Sequence, residues 1–233
     1  MMLAQSRQAA MGEMISMIAH QWRQPLTVIS MDANNMLVDL ELGNFDKESV
    51  RESSNSILHQ SQYLSKTIND FRDFFRPNQE KEKFVLKSVI EDTYEIIDHS
   101  FKNNEISLTV HDDIEITLLA HKRELVQVFI NLLNNAKDAA IEHVKVDRKI
   151  EIYINKDGEN IIIKICDNGG GIDIDIQEKI FEPYFSTKTE KNGTGLGLYM
   201  SKTIIEKHFS GQIRIDNHEN GVCATVLIPQ KQV

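Results

Sequence analysis

The chain has 233 residues, 41% hydrophobic and 26% charged, and its 26 Lys+Arg against 35 Asp+Glu give a formal net charge of -9. That length holds one large or two ordinary domains, and two are expected. The acidic balance opposes a nucleic-acid partner, no run reaches the ~18 apolar residues of a membrane helix, and the N-terminus lacks a signal peptide's basic start and apolar core, so a cytoplasmic chain is expected.

A first long helix spans about Ala4 to Leu42, the polar stretch LGNFD turns, and a second helix runs from about Asp46 to Phe75. In the stretch ISMIAHQWRQPLTVIS, at ~100° per residue, Met11, Ile15, Ile18, Trp22 and Ile29 form an apolar stripe, while Glu13, Ser16, His20, Gln24 and Thr27 lie opposite. His20 therefore faces away from the core. Pro25 removes a backbone hydrogen bond and crowds the carbonyl of Gln21, so a bend exposing this turn is expected. On the second helix Val50, Ile57, Leu64, Ile68, Phe71 and Phe75 recur at near-heptad spacing, with Ser54 and Ser61 in the same seam. Two such helices cannot bury both seams alone, and a homodimer forming a four-helix bundle completes them. Pro77 ends the second helix and NQEKEK reads as a solvated linker, dividing the chain into 1–77 and 78–233.

From Phe84 the pattern becomes mixed α/β. KIEIYINKDGENIIIKICD alternates through Ile150, Ile152 and Ile154, turns at Asp157-Gly158, and alternates again through Ile161, Ile163 and Ile165, an antiparallel hairpin. Two further strands, GQIRID and GVCATVLIP, follow, and helical segments cover Lys122 to Ala140 and Leu196 to Phe209. Cys166 and Cys223 each lie in a strand-like apolar run; in a reducing compartment they read as small buried thiols and not as a disulfide. The histidines show no zinc spacing.

Four stretches of this second half carry chemistry. In ELVQVFINLLNNAKDAA, Leu125, Val128, Phe129, Leu132 and Ala136 line one helix face, and Gln127, Asn131, Asn135 and Asp138 the other. Asn131 and Asn135 are i,i+4 neighbours in the middle of a helix, where Asn is a poor former, so two amides aimed at one spot suggest ligand or Mg²⁺ coordination. DNGGG, Asp167 to Gly171, puts a carboxylate acceptor at a strand end, with glycines that let the backbone approach a flat ligand. FEPYFSTK and NGTGLGLYMSK follow, the latter placing a glycine-rich loop before a helix N-terminus, a geometry suited to phosphate. Each stretch alone also has a plainer reading: two solvated Asn, an Asp-Asn-Gly turn, a linker and a helix cap. The dinucleotide and P-loop fingerprints are absent, as are the H-R-D and D-F-G of Ser/Thr kinases.

Taken together, His20 in HQWRQPL, Asn131 and Asn135 in NLLNNA, Asp167 in DNGGG, Phe181 and Phe185 in FEPYF, and Gly193 to Gly197 in GTGLG resemble, in order, the five boxes of a two-component sensor histidine kinase. The likeness runs from about Met11 to Pro229. It implies an all-α antiparallel hairpin for dimerisation and histidine phosphotransfer, residues 1–77, then an ATP-binding α/β sandwich with a mixed, mostly antiparallel sheet, residues 78–233. Carried onto this chain, His20 is the phosphoacceptor, Asn135 a Mg²⁺ ligand with Asn131 beside it, and Asp167 the acceptor for the adenine amine. Gly169, Gly171, Gly193, Gly195 and Gly197 shape the nucleotide loops with Thr194 and Leu196. Ser186 to Thr194 resembles the lid over the phosphates, with Lys188 and Lys191 available to it. The implied activity is ATP-dependent autophosphorylation of His20 and transfer to an aspartate of a response regulator, with a phosphatase activity also open.

Two positions depart from the family pattern. Asp138 stands where many relatives carry a base three residues after the second Asn, with Lys137 one earlier, so which cation meets the phosphates stays open. Gln21 stands where relatives often place an acidic residue beside the acceptor; its amide can orient the imidazole, and Gln24 lies one turn on. An ATP hydrolase and a silent dimeric scaffold stay open as alternatives. The first helix starts within a few residues of the N-terminus and leaves no room for a sensor domain, so a sensor region upstream of this chain is the expectation.

Overall fold

The computed structural model describes residues 2–44, 46–75, 81–112, 114–188 and 194–230, with side chains described throughout these ranges except at 2–21, 66 and 69–75. Two compact units are present, one formed by Met1–Pro77 with Lys188–Thr194, which holds the helical hairpin, and an α/β one formed by Asn78–Thr187 and Gly195–Val233.

The helical unit is an antiparallel pair, α1 (Met2–Glu41) and α2 (Lys47–Phe75). The polar connection turns at Gly43, with φ +71°, and Asp46 accepts the Ser49 N–H at 3.0 Å, a side-chain cap that starts α2. The helix α1 continues through Pro25, which is buried, and the Thr27 hydroxyl donates to the Arg23 carbonyl at 2.7 Å beside it. Trp22 and Ile29 are half-buried while Gln24 and Thr27 are exposed, as the periodicity demands; the side chains of His20, Gln21, Met11, Ile15 and Ile18 lie outside the described residues. On α2, Val50, Ile57 and Leu64 are half-buried, but Ser54, Ser61 and Ile68 are exposed in the single chain. The side chains of Phe71 and Phe75 also lie outside the described residues.

The α/β unit runs β1 (Glu82–Val85), α3 (Leu86–Asn103), β2 (Ile106–Asp112), β3 (Thr117–Ala120), α4 (Lys122–His143), β4 (Arg148–Asp157), β5 (Asn160–Asp167), a 3₁₀ turn Lys179–Phe181, α5 (Gly197–His208), β6 (Gln212–His218) and β7 (Gly221–Pro229). Its main sheet has the order β2-β4-β5-β7-β6; β2 joins β4 parallel and the other pairs are antiparallel, while β1 and β3 form a separate antiparallel pair. One sheet face carries Ile150, Ile152, Ile154, Ile161, Ile163, Ile165 and Val226, all buried by period-2 alternation. Helix faces of period 3.6 also enter the core: Val89, Ile97 and Phe101 of α3, Leu125, Phe129 and Leu133 of α4, and Ile204 and Ile205 of α5. Among the described residues no helix is long and apolar enough to cross a membrane.

Two expectations need correction here. The β4–β5 loop is Gly158-Glu159, one residue later than expected, because Asp157 pairs with Asn160 in the ladder and Gly158 takes the positive φ of +59°. More consequentially, Cys166 and Cys223 form a disulfide. They are direct cross-strand partners in β5 and β7, and antiparallel pairing brings opposed Cα atoms within bridging reach whatever their separation in sequence.

Candidate nucleotide site

The helix α4 organises the site. Asn131, Asn135 and Ala139 form an i, i+4, i+8 row along one side, spanning about 12 Å at 1.5 Å per residue. At its C-terminal end lies the loop after β5. A Cβ on Gly169 would stand 2.5 Å from the Ala139 carbonyl carbon and 2.6 Å from the Ala140 nitrogen, so only glycine lets this loop rest on the helix backbone. Asp167, the last residue of β5, accepts the Gly169 N–H at 2.8 Å and is also bonded by the Val222 amide. Burial raises its carboxyl from 3.8 to about 6, against the opposing pull of those two amides. A carboxylate held this way keeps acceptor capacity for a ligand N–H.

At the other end of the row, the Asn131 amide donates to the Gly197 carbonyl at 3.3 Å and the Ser201 hydroxyl at 3.4 Å, while its oxygen accepts from Gln127 at 3.3 Å. Ser201, fully buried, donates to the same Gly197 carbonyl at 2.9 Å. Asn131 thus fastens α4 to the first turn of α5, whose leading N–H groups have no intrahelical acceptor and present a partial positive charge. Thr194 and Leu196, just before that turn, are buried. Asn135, half-buried, lies midway between the two ends.

The FEPYF stretch is tied to the glycine loop by one backbone bond, Tyr184 N–H to the Gly195 carbonyl at 2.9 Å. Phe181 and Phe185 are half-buried, and the Lys202 ammonium lies 5.3 Å from the Phe181 ring centroid, within cation–π reach. Lys188 is half-buried; Gly193 and Lys191 lie outside the described residues.

Lys137 does not join this row. Its ammonium lies 3.1 Å from Asn134 Oδ1, 3.3 Å from Ser100 Oγ on α3 and 3.7 Å from Asp138 Oδ1. Two residues beyond Asn135 it is turned ~200° around the helix from that row. The polar face of α4 is also less solvated than its composition suggests, for Gln127, Asn131, Asn135 and Asp138 are all half-buried.

Three carboxamides were not anticipated. Asn168 accepts the Lys149 N–H at 2.9 Å and donates to the Asp147 carbonyl at 2.8 Å; Asn217 does the same to both backbone groups of Ile172; and Gln177 donates to the Ile215 carbonyl at 2.7 Å. They pin the segment after Asp167 to the sheet. Only Asn168, inside DNGGG, carried a sequence signal.

Among the described residues no group of three or more His, Cys, Asp or Glu could hold a metal. The donor chemistry present, a neutral amide oxygen at Asn135 between Asp167 and the start of α5, suits a Mg²⁺ that draws its other ligands from phosphate and water.

Residues 10–80 match the family model described as His Kinase A (phospho-acceptor) domain, and residues 120–232 match Histidine kinase-, DNA gyrase B-, and HSP90-like ATPase. The chain is 30% identical over 226 residues to the signal transduction histidine-protein kinase AtoS of Escherichia coli, covering 96% of this chain and 35% of that protein. It is 32% identical over 221 residues to sporulation kinase B of Bacillus subtilis, covering 94% of this chain and 49% of that protein. The chain therefore spans between a third and a half of these relatives. Among solved structures it is similar to the catalytic domain of histidine kinase ThkA, with a TM-score of 0.58 and 33% identity over 65% of this chain and 97% of that one. The fold is also that of ThkA in its complex with the response regulator TrrA, with a TM-score of 0.66 and 24% identity over 97% of this chain and 64% of that one.

Proposed function

The chain belongs to the histidine kinase family, and from that premise we propose that it is an ATP-dependent autokinase that phosphorylates His20 and passes the phosphoryl group to an aspartate of a response regulator. The supporting observation is the row on α4: a carboxylate acceptor at one end, a helix N-terminus at the other, and an amide oxygen between them, at a spacing suited to an extended nucleotide.

In this reading residues 78–233 bind ATP. Asp167 accepts the adenine amine, Gly169 and Gly171 shape the base pocket, and Phe181 and Phe185 wall it. Gly193, Thr194, Gly195, Leu196 and Gly197 bring backbone amides to the phosphates. Asn131 positions α5 against α4 through its bonds to Gly197 and Ser201. Asn135 offers its oxygen to Mg²⁺, which when bound neutralises phosphate charge, and Lys137, Lys188 and Lys191 are the cations near these motifs that could meet the phosphates.

Residues 1–77 supply the acceptor and the dimer. The neutral His20 imidazole attacks the γ-phosphorus in line, the bond to the bridging oxygen breaks, ADP leaves and the ring sheds its proton. Gln21 orients the ring; Gln24, exposed one turn on, positions a water for hydrolysis of a partner's phosphoaspartate. Leu26, Met31, Leu37 and Leu40 of α1 and Leu58 of α2 are exposed large apolar residues in the single chain, the surface that a homodimeric four-helix bundle would cover. The need for ATP supports a cytoplasmic location.

Incubation with Mg²⁺ and γ-labelled ATP tests the assignment. An acid-labile, base-stable label that disappears in His20→Ala while ATP binding persists supports it; full labelling of His20→Ala overturns it.

A further inference from the structure

The loop that follows Asp167 is anchored at its start by Asn168 to the beginning of β4, and further along from β6 and the β6–β7 turn. The Gly170 N–H donates to the Asn220 carbonyl at 2.8 Å in the β6–β7 turn, and a Cβ on Gly221 would meet the Asp167 carbonyl oxygen, so that turn and the end of β5 are in direct backbone contact. The end of the loop is held by one side chain. Asn217 Oδ1 accepts the Ile172 N–H at 2.7 Å and its Nδ2 donates to the Ile172 carbonyl at 2.8 Å, imitating a strand partner. A Cβ on Gly171 would stand only 3.1 Å from the same Oδ1. In the ladder Asn217 is paired with Val222, whose amide bonds the Asp167 carboxylate. One residue therefore links the two features that would define a base pocket: the amide that fixes the acceptor and the path of the glycine loop beside it.

We propose that Asn217 is a positioning residue of the nucleotide site, clamping Ile172 so that the Gly169–Gly171 backbone holds the shape that admits an adenine against Asp167. This rests on the nucleotide reading given above. Only a carboxamide of this length offers a donor and an acceptor side by side to one residue's N–H and C=O. Alanine loses both bonds; aspartate keeps the acceptor and turns a carboxylate oxygen toward the Ile172 carbonyl. A loosened loop admits purines less selectively. An acceptor carboxylate favours adenine's exocyclic amine over guanine's carbonyl only while base and carboxylate are held in register.

Calorimetric titration of the full chain with MgATP and MgGTP, alongside thermal unfolding, decides the matter across wild type, Asn217→Ala, Asn217→Asp and Asp167→Asn. The expected result is an ATP affinity about tenfold weaker in Asn217→Ala, a smaller loss in Asn217→Asp, a reduced ATP-to-GTP preference in both, and an unfolding midpoint for Asn217→Asp within about two degrees of wild type. Unchanged ATP affinity in Asn217→Ala overturns the proposal, as does a loss of affinity with the ATP-to-GTP ratio intact, which is what a general loss of folding produces. Unchanged ATP affinity in Asp167→Asn overturns the nucleotide reading itself, separately from the role of Asn217.

Discussion

Tyr184 and Gly195 share one backbone hydrogen bond, N–H to carbonyl at 2.9 Å, and both adopt left-handed backbone with φ of +65°. Eleven residues apart in sequence, they make two motifs one object. A Cβ on Gly195 would lie 2.3 Å from the Tyr184 carbonyl carbon, a backbone atom that cannot step aside.

Gly195→Ala is therefore expected to break this junction and lower nucleotide affinity at least tenfold, with a stability loss of about 1–3 kcal/mol from the strained φ and the clash. Tyr184→Gly, which relieves its own positive φ, is expected to retain the bond. Calorimetry and thermal unfolding on both variants check this, and normal nucleotide affinity in Gly195→Ala would refute it.

The Asp167 carboxyl, raised by burial to about 6, gives a pH dependence of definite sign. The fold favours its protonated form, so its contribution to stability is fully present below about pH 4 and is lost as pH rises through 6. Asp167→Asn is then expected to stabilise the unliganded protein at pH 8 by about 1–3 kcal/mol, with the gain vanishing toward pH 4. Wild-type ATP affinity is expected to fall as pH drops through 6, because protonation removes an acceptor lone pair, whereas that of Asp167→Asn is weak and flat over the same window. Unfolding curves and ATP titrations between pH 4 and 8 measure both.

The Cys166–Cys223 bond closes a separation of 57 residues between β5 and β7. A chain-entropy estimate for such a loop is about 4 kcal/mol. Thiol reductant is expected to expose two alkylatable cysteines after denaturation and to lower the denaturant midpoint of the α/β unit. Mass analysis of the alkylated chain before and after reduction reads the first effect; two thiols already free before reduction would remove the bond.

Two glutamines flank the proposed acceptor. An amide orients an imidazole but cannot take its proton, so Gln21→Ala is expected to slow labelling of His20 only modestly and Gln21→Glu to match or exceed wild type, since a carboxylate also stabilises the developing imidazolium. Gln24→Ala is expected to impair hydrolysis of a partner's phosphoaspartate while sparing autophosphorylation. Assaying both activities on purified variants separates the two roles; loss of labelling in Gln24→Ala as complete as in His20→Ala contradicts this division.

Much of this architecture was legible in the sequence, because burial of a helix or strand face is a local, periodic property. The period of 3.6 placed Leu125, Val128, Phe129, Leu132 and Ala136 in the core of α4, and alternation placed six of the seven isoleucines of β4 and β5 on one sheet face. The helix α3 obeys the same rule through Leu86, Val89, Ile90, Ile97 and Phe101, whereas β2, an edge strand in which only Ile106 is buried, carries no such alternation. The five motifs likewise named the chemistry, since residue type alone says what can accept, donate or bend.

Tertiary packing decided which of these groups meet. Asn131 reaches Gly197 across 66 positions and Asn217 reaches Ile172 across 45, distances over which no local periodicity carries information. Helix rotation likewise sets the partner of Lys137, whose ammonium reaches Ser100 on α3. The two cysteines are unremarkable in their own strands and are bonded only because the sheet sets β7 beside β5 with those residues in register. Sequence fixes a residue's capacity and the face it presents; the sheet register and the seat of α4 on the loops determine its partner.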